Sequence, residues 1–429
     1  MSSAPVGIFS KSPDSDIPPL VTPTLFKTRK KEDISTITLE KIIGKGAFGT
    51  VYSCRDENND QFAVKCIKTK DFGIPSLIEA SIMSVIQHPY LTKALKIHST
   101  PEKLYIVQEL AISDLKQYCS NNLIPEEKTL KWIHMIIQGI ACLHKYDIIH
   151  GDVKASNILV YPDEKVKLTD FTLSTNINWS NTYRPCTPTH RPLEVWLGEK
   201  WDKSIDLWAL GCTIFEIVYN KNLFIFQERN ASINALIDWF NYLPLKYLTK
   251  TDQEPKFRSE QKIKYRNTFH YSFSLPDSFN TSSLINHLIL SLLTESKLRP
   301  TIHEVMKNEL FTNFPNIPSI VIGLSEPSSD RTRVKKFMRG FSDNEAILEL
   351  ACSMYSRLTG MINANDKIKM FTCVWIAHKL VCRQNISISI LPCELHEVLQ
   401  MERSICNYLS YKLFSKKSQI VIKDNKKYF

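Results

Sequence analysis

The run Ile149-His150-Gly151-Asp152-Val153-Lys154-Ala155-Ser156-Asn157-Ile158-Leu159 constrains this chain more than any other. A helix-periodic apolar stretch, KWIHMIIQGIACLHKY, precedes it, and a strand-like VKLTDF follows. Both flanks call for burial, so Asp152, Lys154 and Asn157 are crowded into a short loop at the rim of a core. A carboxylate there can accept or orient a hydroxyl proton. An ammonium can neutralise a transferring phosphoryl group, and an amide oxygen can hold a hard cation. Taken singly, each residue reads equally well as a loop or cap residue.

The rest of the chain falls into a strand-rich part and a helix-rich part. Residues 1–36 are rich in Ser, Thr and Pro without periodicity, and read as a disordered tail. From residue 37 come the β-rich runs ITLEKII, TVYSCRD and QFAVKCIK, separated by Gly-rich or polar turns. Helical periodicity begins after Pro75 and dominates from Thr129 to about Leu310. Such an order suggests two lobes with a cleft between them. Residues 315–335, with Pro, Ser and Asp, read as a linker, and 336–429 as a further helical region. No apolar run reaches the ~18 residues of a membrane span, so no membrane partner is expected. Eleven cysteines without a CxxC pair exclude the common zinc patterns. With no secretory signal, they point to reduced thiols and an intracellular place, cytoplasmic or nuclear, inside a host cell if the chain is viral. The net charge of +10 is concentrated toward the C-terminus. No basic motif interleaved with aromatics accompanies it, so a solvated surface is preferred to a nucleic-acid partner.

Two further clusters complete the chemistry. Gly44-Lys45-Gly46-Ala47-Phe48-Gly49-Thr50-Val51 lies between two strand-like segments. No helix follows it, which argues against a dinucleotide fold and for a hairpin whose backbone amides approach phosphates. In Phe62-Ala63-Val64-Lys65 the lysine sits among apolar residues, where an ammonium needs an anionic partner. Glu79, opening the apolar run Glu79-Ala80-Ser81-Ile82-Met83, is the candidate, and phosphate oxygens would add to it. Asp170, after VKLT, would supply a second oxygen ligand beside Asn157.

The order Lys65, Glu79, Asp152, Lys154, Asn157, Asp170 resembles the eukaryotic protein kinase family over residues 37–314. The resemblance implies an α+β two-lobed protein kinase fold, with a β-rich N-lobe and a helical C-lobe, that binds ATP and Mg²⁺ and phosphorylates Ser/Thr of a protein substrate. It places ATP against Gly44, Lys45, Gly46, Ala47, Phe48, Gly49, Val51, Ala63, Lys65 and Glu79. It makes Gln108 the gatekeeper and Glu109 to Ala111 the hinge to adenine. Asp152 and Lys154 become catalytic, and Asn157 and Asp170 the metal ligands. Glu194 and Arg299 form an ion pair, and Asp206 braces the catalytic loop.

Within the family, Gly73-Ile74-Pro75-Ser76-Leu77-Ile78-Glu79 is similar to a shortened PSTAIRE helix of the cyclin-dependent kinases. Asp114-Leu115-Lys116 and Arg191 fit the same group. In the tail, Trp375-Ile376-Ala377-His378-Lys379-Leu380 and Val398-Leu399-Gln400-Met401-Glu402-Arg403 resemble segments of a cyclin box. That implies a small all-α cyclin-like module, an intramolecular partner in which Lys379 and Glu402 hold the kinase near its PSTAIRE-like helix. Three departures stand out. His150-Gly151-Asp152 lacks the usual middle Arg, and Ile78 and Thr175 stand where two further phosphate-binding arginines belong. Phosphorylation of Thr182, the activation-loop position, is therefore expected to be unnecessary. Asp170-Phe171-Thr172 lacks the usual third Gly, which should make the motif harder to flip. Leu193 replaces the Pro before Glu194. Alternatives remain a pseudokinase scaffold, or a kinase of the vaccinia-related and casein-kinase-1 branch with an unrelated helical tail, since HGDVKASN also resembles that branch.

Overall fold

The computed structural model describes residues 20–21, 36–46, 49–68, 73–100, 103–176, 185–224, 283–317, 320–321, 344–358, 366–382 and 395–409, with isolated positions 236, 239, 275, 279, 338, 339 and 342. Ala47, Phe48 and Thr182 lie outside the described residues.

In chain order come β1 (Leu20–Val21), β2 (Thr36–Gly46), β3 (Gly49–Asp56) and β4 (Gln61–Lys68), then helix α1 (Ile74–Val85), then β5 (Ile86–Gln87), β6 (Lys96–Ser99) and β7 (Lys103–Glu109). A six-stranded antiparallel sheet takes the order β1-β2-β3-β4-β7-β6. Its first strand lies within the stretch expected to be disordered, paired with Thr36 and Ile37. β4 is central, which suits its nearly unbroken apolar run. Its register sets Val51 across from Lys65, and Ala63 across from Gln108. Since Ala63 and Lys65 are two apart, all four lie on one face of the sheet. Gly49 closes the β2–β3 hairpin tightly over β4; a Cβ there would lie 2.7 Å from the Cys66 carbonyl oxygen.

The second lobe begins with β8 (Ser113–Asp114), α2 (Leu115–Asn121) and α3 (Glu126–Lys145). Asp114 caps α2, accepting the Gln117 N–H at 2.9 Å. Glu126 and Glu127 in the first turn of α3, and His144 and Lys145 in its last, complement the helix dipole. Short strands follow: β9 (Ile148–Ile149), β10 (Ile158–Val160), β11 (Val166–Leu168) and β12 (Thr175–Asn176). Then come α4 (Leu193–Leu197), α5 (Ser204–Tyr219), α6 (Leu284–Leu292) and α7 (Ile302–Met306). α3 and α5 form the centre: residues 132–144 and 205–217 are buried without interruption.

The expected linker is partly structured. Gln138 of α3 clamps it, donating to the Pro315 carbonyl at 2.9 Å and accepting the Ile317 N–H at 2.8 Å. Ile320–Val321 (β13) then pairs with β5, at the C-terminal end of α1. The chain therefore returns to the first lobe before α8 (Glu345–Ser356), α9 (Asp366–Cys382) and α10 (Leu395–Tyr408). α9 has no single apolar face. Every residue from Phe371 to Ala377 is buried, so the helix is covered on all sides. α8 and α10 cover part of it and α1 another part, while α10 reaches β6.

Candidate active site

The loop between β9 and β10 is held from below by Asp206, at the start of α5 and fully buried. Its Oδ2 accepts the His150 N–H at 2.8 Å, and its Oδ1 accepts the Gly151 N–H at 2.9 Å. His144 Nε2 lies 2.9 Å from Oδ2. From above, His150 Nε2 meets the Thr169 carbonyl at 3.0 Å, and its ring meets Phe171 edge-on at 5.4 Å between centroids. The loop is thus fixed on both sides.

Asp152 projects from this frame. Its Oδ2 faces Lys154 Nζ at 2.7 Å and accepts Asn157 Nδ2 at 2.8 Å. Its Oδ1 accepts both the Thr187 N–H at 2.8 Å and the Thr187 hydroxyl at 2.7 Å. Lys154 Nζ also donates to Thr187 Oγ1 at 2.7 Å. Burial alone would raise the Asp152 pKa, but Lys154 and Thr187 outweigh it and hold the carboxyl below its ordinary value. It is ionised at neutral pH and stands beside an ammonium. Thr187 was missed in the sequence reading; its only signal is a hydroxyl four residues before Arg191, and nothing local says it will meet Asp152.

Across the cleft, Lys65 Nζ donates to both Glu79 carboxylate oxygens at 2.7 and 2.6 Å and lies 3.6 Å from Asp170 Oδ1. Burial would lower the Lys65 pKa; the Glu79 and Asp170 carboxylates reverse this and raise it. Glu79 is itself pushed up by burial, against the pull of Lys65. Asp170 adopts the left-handed conformation (φ 61°), and Thr172 does not. The lost glycine therefore imposes no strain here. Thr172 is buried and its hydroxyl donates to Asp170 Oδ1 at 2.8 Å. Two oxygens remain for a cation. Asn157 commits its amide nitrogen to the Asp152 carbonyl and carboxylate, leaving Oδ1. Asp170 has Oδ2. A carboxylate and an amide oxygen are the hard donors that suit Mg²⁺.

The remaining expected residues are placed as follows. Gln108 is buried on the same sheet face as Lys65, and Glu109 and Ala111 follow it, with Lys167 ion-paired to Glu109. Gly44, Lys45 and Gly46 form the end of β2. Arg299 makes a buried two-pronged pair with Glu194, at 2.5 and 3.0 Å. Leu193 is buried at the start of α4. Arg191 Nη2 donates to the Cys186 carbonyl at 2.6 Å, and its Nε to that of Pro185 at 2.9 Å. Lys379 and Glu402 meet each other: Nζ donates to both carboxylate oxygens, at 2.9 and 2.8 Å, between α9 and α10. Trp375 Nε1 also donates to Glu402, at 3.1 Å.

Residues 37–311 match the family model described as the protein kinase domain. The chain belongs to the protein kinase family. It is 32% identical over 213 residues to cell division control protein 2 homolog 3 of Trypanosoma brucei brucei, covering 47% of this chain and 68% of that protein. It is also 32% identical over 196 residues to cyclin-dependent kinase 2 of Caenorhabditis elegans, covering 42% and 53%. Over 227 residues it is 28% identical to human cyclin-dependent kinase-like 5, covering 50% of this chain and 24% of that protein. This kinase is accordingly an ATP-binding Ser/Thr protein kinase of cyclin-dependent-kinase-like type. Among the described residues no helix is long and apolar enough to cross a membrane.

Proposed function

We propose that this chain transfers the γ-phosphoryl group of ATP to Ser/Thr of proteins and is switched on in cis by its C-terminal helices, without activation-loop phosphorylation. The observation that carries the reading is the packing of α9 against α1. Nearly all of α1 is buried, from Ser76 to Met83 and at Val85, so both its sheet side and its outer side are covered. α1 carries Glu79, and the Glu79–Lys65 pair is closed. A covalent tether holds α9 near α1 at an effective concentration of roughly millimolar. Lys379 and Glu402, paired with each other, would fix the angle between α9 and α10 that presents this surface.

The phosphate-free state is supported by what fills the three expected arginine positions. Ile78 is fully buried among apolar residues, Thr175 is buried and paired with Ile149, and Gly151 has no side chain. None of the three offers a charge to a phosphate.

Chemically, Lys65 would hold ATP phosphates with Glu79 fixing its ammonium. Asn157 and Asp170 would hold Mg²⁺, which when bound neutralises charge developing on the phosphates. Asp152 would orient the attacking hydroxyl and take its proton, while Lys154 would neutralise the moving phosphoryl group. Substrate choice follows from Cys186. Its backbone is left-handed (φ 66°) and its carbonyl is taken by Arg191. That carbonyl is not free for an N–H of the residue after the phosphoacceptor, so proline there sacrifices nothing. The test is γ-phosphate transfer by phosphatase-treated full-length protein to Ser-Pro and Ser-Ala peptides, with Asp152→Asn as control. Transfer favouring Ser-Pro and abolished by Asp152→Asn is expected; an inert phosphatase-treated enzyme would overturn the reading.

A further inference from the structure

Gly151 stands where two ends of one segment converge. Its φ of +76° lies in the left-handed region. A Cβ on it would lie 2.6 Å from the Leu173 carbonyl oxygen and 3.6 Å from the Pro185 Cβ. The first distance is closer than any side chain tolerates. The same two stretches are hydrogen-bonded to the loop backbone around it. Ser174 Oγ donates to the His150 carbonyl at 2.9 Å, and the Cys186 N–H donates to the Gly151 carbonyl at 2.6 Å. One residue on, the Thr187 N–H reaches Asp152. Asp206 meanwhile takes the amides of His150 and Gly151. The dipeptide thus offers its N–H groups to the lobe and its carbonyls to the segment.

We propose that Gly151 is a positioning residue: the absence of a side chain lets both ends of the segment running from Asp170 to Thr187 seat directly on the catalytic loop, doing by backbone contact what a phosphate held by arginines would otherwise do. This rests on the reading that the segment needs no phosphate, and deepens it. The glycine is then a requirement of this chain and more than a lost cation. Restoring a side chain pushes Leu173 and Pro185 away, and with them Cys186 and Thr187, so the effect reaches Asp152 although ATP is held elsewhere, by Lys65.

The experiment compares full-length Gly151→Ala, Gly151→Asn, Gly151→Arg and Ser174→Ala with the wild type. Each is phosphatase-treated, and kcat, KM for ATP and ATP affinity by calorimetry are measured. Asparagine tolerates the left-handed backbone, so it isolates crowding from conformation. All three Gly151 variants should lose kcat by roughly 10- to 100-fold, the scale of a displacement of about 1 Å, with ATP affinity within about twofold of wild type. Ser174→Ala should lose several-fold, and the two losses should not add, because they undo one contact. A Gly151→Asn or Gly151→Arg enzyme with wild-type kcat overturns the proposal. Should the Gly151 variants not fold, Ser174→Ala decides it, and an unchanged kcat overturns it. A wild type that transfers phosphate only after phosphorylation of its activation segment sinks the underlying reading. A phosphate-independent wild type with fully active Gly151→Asn sinks this proposal alone.

Discussion

Among the described residues, two Lys–Glu pairs combine a buried carboxylate with a largely buried ammonium, and they do different things. Lys65–Glu79 joins a central strand to α1; Lys379–Glu402 joins α9 to α10. Distances are alike, and in both the carboxylate side chain is 3% exposed. The difference lies in what else faces the ammonium. Lys65 also has Asp170 at 3.6 Å and opens toward the cleft, so its charge is shared and available. Lys379 faces the Trp375 ring, whose N–H donates to Glu402, and the pair is enclosed. A buried ion pair is therefore no site by itself; an additional charged neighbour and an open side make it one. Enclosed pairs stabilise weakly against apolar replacements, yet breaking one by removing a single partner costs a great deal.

Substitutions can break this comparison. Lys65→Met should reduce transfer most, by about 10²–10³-fold or more, as removal of a positioned donor does. The double variant Lys65→Met/Glu79→Leu should stay equally inactive in a peptide assay. Lys379→Met should instead destabilise the fold by about 3–5 kcal/mol, by stranding Glu402. Lys379→Met/Glu402→Leu should recover most of that loss in denaturant melts, and with it activity. If both doubles behave alike, the distinction fails.

The pH dependence sharpens the contrast. Glu79 is held above its ordinary value by burial, and Asp152 below its own by Lys154 and Thr187. As pH falls, Glu79 protonates first and releases Lys65 while Asp152 is still charged. Protonation of a group with a raised folded-state pKa favours folding, so Glu79 costs activity without costing stability. Asp152 contributes stability above the unfolded value of about 3.9, and loses it only as pH falls through its lower folded value. The acid limb of kcat/KM should therefore lie above the acid unfolding transition, and in Glu79→Gln it should move down to the lower pH at which Asp152 protonates. The smallest effect expected is that of Thr172→Val, which removes the hydroxyl on Asp170. About 1 kcal/mol of lost hydrogen bonding should raise the Mg²⁺ needed for half-maximal ATP binding several-fold, read by calorimetry.

The cleft residues were legible because charges amid apolar sequence demand partners. Lys65 in FAVKCI could only be paired, whereas the bracing role of Asp206 was implied by the resemblance to protein kinases. Thr187 was not legible, since a hydroxyl is at home anywhere and its role depends on a loop approaching from 35 residues away. The structured part of 315–321 was hidden for a similar reason: its Pro-rich composition reads as linker, and Gln138, which holds it, looks like any polar residue on a helix. The full burial of α9 is not legible either, because a helix covered on every side has no apolar face to find: Thr372, Cys373 and Ile376 are as buried as Phe371, Val374 and Trp375. The Asp170-Phe171-Thr172 departure looked like a restriction of the backbone. The left-handed turn falls on Asp170, so Thr172 is free to supply a hydrogen bond.

The central claim is that α9 and its neighbours activate the kinase through α1. It is tested most directly by the specific activity of phosphatase-treated full-length protein against a chain ending at residue 330, with ATP affinity measured on both. The shorter chain should still bind ATP but transfer phosphate at about a tenth of the rate or less, the population shift that follows from losing the contact that favours the closed Lys65–Glu79 pair. Equal specific activity of the two would contradict it.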